Sequence, residues 1–184
     1  MKVPRHISNS LWLLVIGLGS SLTVASGAWA QDKHSISWNS PAGSSRYTEQ
    51  HVIDVGDVPG HQVRVFELYG GPSASAPSFD GAKVVESWTR GMTDYTNLNG
   101  PAFIYGHYVL SDGNKIFWRL NGLAQSTLNA DGSRRTTFTG VITLTGGTGK
   151  FKGVRGMIRA AGVFDPSRQG SNETEFSGEY WIEE

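Results

Sequence analysis

Glu67, Glu86, Arg90, Tyr105, His107 and Trp118 are the side chains of this sequence most suited to chemistry, and all lie in short runs that alternate like strands. Successive strand side chains leave on opposite faces, so each run offers two sets. The first run sets Val63, Val65, Glu67 and Tyr69 against Arg64, Phe66 and Leu68. The next sets Val84, Glu86, Trp88 and Arg90 against Val85, Ser87 and Thr89. Phe103, Tyr105, His107 and Val109 then oppose Ile104, Gly106, Tyr108 and Leu110, and Ile116, Trp118 and Leu120 oppose Phe117, Arg119 and Asn121. Were the sets carrying the polar groups to face inward, Glu67, Glu86 and His107 would be candidate general acids or bases, because burial shifts such pKa values. Tyr69, Trp88, Arg90, Tyr105 and Trp118 would be the ligand-binding wall of a small-molecule pocket. The other reading puts the charged residues on a wetted exterior, with Trp88 under a loop and His107 structural. Periodicity does not choose between them.

Other chemistries lack their residues. Lys150 is followed by Phe151, not by the Ser or Thr of a phosphate loop, and no nucleophile elbow, zinc-protease helix or dinucleotide-binding glycine pattern is present. His34, His51 and His61 lie in the N-terminal arm or near turns without zinc-site spacing, so neither a metal nor a cofactor is expected. With no cysteine, disulfides and thiolate catalysis are excluded.

The elements that must position these residues read as strands. Alternating runs rich in Val, Ile, Thr and aromatics predict eight: Tyr47 to Val55, Gln62 to Tyr69, Lys83 to Tyr95, Ala102 to Leu110, Lys115 to Ala124, Arg134 to Leu144, Val154 to Phe164 and Thr174 to Ile182. Asp112-Gly113-Asn114 and Asn129 to Ser133 signal tight hairpins. A meander of this length closes into a barrel or leaves two edges, and closure is expected. Gln31 to Arg46 reads as an extended arm, Gly70 to Asp80 as a loop unable to hold a ladder, and Pro166 to Asn172 as a loop beside a barrel mouth.

Lys2 and Arg5, the apolar run Leu11 to Leu18 and the small residues ending in Ala28-Trp29-Ala30 read as a signal peptide over residues 1–30, cut after Ala30. The remainder is expected to be secreted or periplasmic. The leader carries two of the 16 basic residues and none of the 16 acidic ones, so its removal leaves a formal charge of −2 and no electrostatic case for a nucleic-acid or membrane partner.

Thr139 to Thr145 followed by Gly147-Thr148-Gly149-Lys150-Phe151-Lys152-Gly153-Val154-Arg155-Gly156 resembles the strand-turn-strand signature of the allene oxide cyclase and dirigent-like barrels. The match covers about residues 135 to 165. The resemblance implies an all-β, eight-stranded antiparallel up-and-down β-barrel of that calycin-like kind over residues 47–184, in which the glycine run marks fold and not chemistry. It also implies a homodimer or homotrimer. The cyclase's catalytic residues, including its pocket cysteine, and the paired aspartates of dirigent proteins have no counterparts that can be placed on this chain.

Three functions follow as expectations. One is an exported barrel that binds a small apolar or aromatic molecule in its lumen. Another is a cofactor-free, isomerase-like enzyme of cyclase or dirigent type that steers cyclisation or coupling of a reactive apolar substrate. The third is a ligand-free structural or interaction barrel with a filled interior. Cavity size and lining discriminate them.

Overall fold

The structure, a computed structural model, describes residues 32–164 and 172–183. The leader with its cleavage site, and the loop read over Pro166 to Asn172 apart from Asn172 itself, lie outside the described residues. Among the described residues ten strands are present: β1 (His34–Ser40), β2 (Ser45–Asp54), β3 (His61–Gly70), β4 (Ser78–Phe79), β5 (Ala82–Thr96), β6 (Gly100–Leu110), β7 (Lys115–Leu128), β8 (Arg134–Gly147), β9 (Val154–Phe164) and β10 (Glu173–Ile182). A 3-10 turn, Gly149–Phe151, joins β8 to β9.

All eight expected strands form, and the architecture is all-β, antiparallel and up-and-down. Two short strands add to the expected count. Within the presumed arm, Ile36 and Trp38 alternate with Ser and Asn, and this stretch is β1, laddered to β10 with Ile36 opposite Gly178. In the presumed loop, Asp80 (φ 43) and Gly81 (φ 77) make a tight turn that pairs Ser78–Phe79 with Ala82–Lys83. A loop expected to hold no ladder thus holds a two-residue one.

Closure is also corrected. The sheet runs β1-β10-β9-β8-β7-β6-β5-β3-β2, and no ladder joins β1 to β2. Eight antiparallel steps separate these two strands along the sheet, so they run in the same direction. Only residues 41–44 lie between them in sequence. They act as two halves of one bent strand, the first serving β10 and the second β3. At the bend Ser40 Oγ meets Ser44 Oγ at 2.6 Å, and the Ser44 N–H donates to the Pro41 carbonyl at 3.1 Å.

The sheet curls round one core. Its lower half is solid: Phe79, Leu110, Ile116, Leu144, Phe151 and Val154 are buried together, roofed by Tyr180, whose hydroxyl accepts the Asp80 N–H at 2.8 Å. Phe151, from the 3-10 turn of the glycine run, is 0% exposed. The run works as backbone geometry: Gly149 has φ 55, and a Cβ on Gly153 would strike the Glu183 carbonyl oxygen.

Candidate functional site

Above the solid half the interior opens into a cavity of about 300 Å³. Its wall takes Trp38 from β1, Tyr47 from β2, Arg64, Phe66 and Leu68 from β3, and Ser87, Thr89, Thr93 and Tyr95 from β5. Ile104 and Tyr108 from β6, Trp118 from β7, Phe138 and Ile142 from β8 and Phe176 from β10 complete the ring. The face of each strand is set by apolar content, since a lumen removes its side chains from water. Along β5 strict alternation fails, because the β5–β6 register shifts between Val84 and Glu86. Val84 and Ser87 therefore both reach the interior, and Glu86 does not.

Aromatic packing shapes the space. Trp38 stacks on Phe176 at 4.4 Å and meets Tyr108 of β6 edge-on at 6.3 Å, and Tyr108 lies 5.6 Å from Trp118. The Trp118 ring lies where a Cβ on Gly106 would be, so that glycine makes room for the indole. Trp118 Nε1 is buried with no hydrogen-bond acceptor among the described residues. Burial pushes the Tyr95 hydroxyl up to about 12 and raises that of Tyr108 further, so both phenols stay protonated at neutral pH. At the mouth, Leu98 in the β5–β6 turn is held at φ 65 with its side chain on the cavity rim.

Of the residues expected to line the lumen, Trp118 does so. Glu67, Tyr69, Glu86, Trp88, Arg90, Tyr105 and His107 do not, and the inward reading is corrected for them. They are nevertheless brought together, on the outer face of β3, β5 and β6. Arg90 pairs with Glu67 at 2.7 Å, Trp88 Nε1 donates to Glu86 at 3.0 Å, and Tyr69 leans on Trp88 at 4.9 Å. Tyr105 is 66% exposed. A hydrogen bond from Thr48, with the Arg90 charge, holds the Glu67 carboxyl below its ordinary pKa. Partial burial, helped by Lys115 and Arg90, keeps His107 below the usual imidazole value. The cross-strand partners Glu67↔Arg90↔Tyr105↔Arg119 form one row of the outer surface.

The sequence reading missed Trp38, Tyr47, Arg64, Phe66 and Tyr95 as wall residues. A signal was available. In β5 and β6 the opposite sets, Ser87 with Thr89 and Ile104 with Tyr108 and Leu110, lack the Glu86, Arg90 and His107 of the sets chosen, and charged side chains are seldom buried unpaired; in β3 each set holds one charge, Arg64 or Glu67, and gives no such signal.

No protein-family model matches the chain, and no curated protein does. Among solved structures it is similar to a pterocarpan synthase dirigent protein, with 15% identity over 83% of this chain and 85% of that one, at a TM-score of 0.40.

Proposed function

We propose that this β-barrel binds a small, mostly apolar or aromatic molecule in its lumen. The observation that carries the reading is the cavity itself: the lower half of the barrel is packed solid, while the upper half keeps about 300 Å³ between aromatic walls. Interiors pack densely, so space of this size ringed by Trp, Tyr and Phe suits a guest. Among the described residues its wall holds no carboxylate and no imidazole, and its phenols with raised pKa values are donors at neutral pH. That lining supports carriage over acid–base catalysis. Lys2, Arg5, the apolar run and Ala28-Trp29-Ala30 support action outside the cytoplasm, with a mature chain starting at Gln31.

Native mass spectrometry of the gently purified protein tests the reading. A bound small-molecule mass is expected on the wild type and lost in Thr89→Trp, which fills the cavity. Retention by Thr89→Trp, or a wild type that takes up no apolar compound supplied to it, overturns lumen binding.

A further inference from the structure

Arg64 carries the sole formal charge on the described cavity wall. It shares the inner face of β3 with Phe66 and Leu68 and stands opposite the buried Thr93 of β5. Its guanidinium is close enough to Tyr95 to pull that phenol's pKa downward against the rise caused by burial. Among the described residues no carboxylate lies within ion-pair distance of it, whereas Arg90 is paired with Glu67 and Arg155 with Glu183. The neighbouring acids are engaged elsewhere. Asp54 accepts from Gln62 Nε2 at 2.8 Å, and Asp57 and Asp94 both hold His61.

A guanidinium does not deprotonate, so Arg64 brings a permanent charge to a largely apolar wall, and it can offer a carboxylate two parallel donors. We infer that the guest is an organic anion whose acidic group sits on Arg64 and whose apolar body lies inward against Phe66, Ile104, Trp118 and Phe176. Tyr95 and Thr93 stand beside the guanidinium to share the anion's remaining lone pairs. The inference rests on the lumen-binding reading and narrows the class of guest.

Two fluorescent probes with one aromatic body separate these claims: 8-anilinonaphthalene-1-sulfonate and neutral N-phenyl-1-naphthylamine. Hydrophobic transfer alone favours the neutral probe, so tighter binding of the sulfonate reports the cation. The wild type is expected to bind the sulfonate about tenfold more tightly, the equivalent of one charge-assisted hydrogen bond. Arg64→Gln should abolish that preference while leaving the neutral probe's Kd within about twofold, a change that corresponds to well under one hydrogen bond. Equal or weaker binding of the sulfonate by the wild type, or an unchanged preference in Arg64→Gln, overturns the anionic guest and leaves lumen binding standing. Failure of both probes to bind overturns both. The wild-type ratio decides by itself should the variant not fold.

Discussion

His61 sits between two carboxylates, with Nδ1 2.6 Å from Asp57 Oδ1 and Nε2 2.7 Å from Asp94 Oδ1. As imidazolium it donates both N–H groups and ties the β2–β3 turn to the far end of β5. The hydrogen bond to Asp94, then that to Asp57, raises its pKa above the ordinary 6.5, and His61 in turn lowers that of Asp57 below 3.8. The signs follow by linkage. The His61 contribution is fully present below pH 6.5 and is lost as pH rises through the raised value, and the Asp57 contribution is present above 3.8 and lost as pH falls through the lowered one. Urea midpoints of the wild type should therefore fall, relative to His61→Gln, as pH rises from mildly acidic to alkaline. An NMR titration placing His61 at or below 6.5 would refute the clamp. At this scale the sequence was least legible. The residue types at Glu67, Arg90 and His107 suggested chemistry, and they do meet in space, but on the outer wall; in β3 each face carries one charge, Arg64 or Glu67, so residue type alone does not choose the wall there.

The barrel floor is built from two turns. The glycine run delivers Phe151 from one side, the Asp80-Gly81 turn delivers Phe79 from the other, and Lys150 Nζ bonds Asp80 Oδ2 across them at 2.7 Å. Phe151→Ala should cost about 3–5 kcal/mol, the range for emptying a buried aromatic site, measured by chemical denaturation. Gly153→Ala should destabilise as well, because its methyl group would meet backbone and not a movable side chain. A stability loss below about 1 kcal/mol for Phe151→Ala, as at surface positions, would show that the floor is not a structural plug. Elements were the most legible scale. The alternation of β3 and β5 to β10 was plain, and the flanking strands identified the glycine run as a turn. β4 was overlooked although Asp80-Gly81 carries the same hairpin signal as Asp112-Gly113, since two residues are too few to show a period. β1 was overlooked because Ser and Asn on its outer face mask the alternation of Ile36 and Trp38.

Across the described residues, ladders join each strand of the sheet to its neighbour except at residues 41–44, where β1 hands over to β2. There Trp38 reaches across the interior to Tyr108. Trp38→Ala should lower stability toward the small end of the about 3–5 kcal/mol seen for Trp truncation, since the ring is only partly buried. It should also enlarge the cavity. Denaturation of the variant, with probe titration beside it, measures both, and unchanged stability with unchanged affinity would show that the ring is not held there. Closure failed as an expectation, as did the strand count. Sequence periodicity reports which residues share a face, and it carries no information on whether the first and last rows meet.

In a fully laddered barrel, strand number and stagger fix the diameter, and the bore cannot adapt without breaking hydrogen bonds. Here the bend at residues 41–44 is held by the Ser40–Ser44 hydroxyl contact and by the Ser44 N–H on the Pro41 carbonyl, with no ladder between β1 and β2. Were the lumen to hold a guest as proposed, a change of girth would fall at that bend, the one place between β1 and β2 where no ladder hydrogen bond has to break.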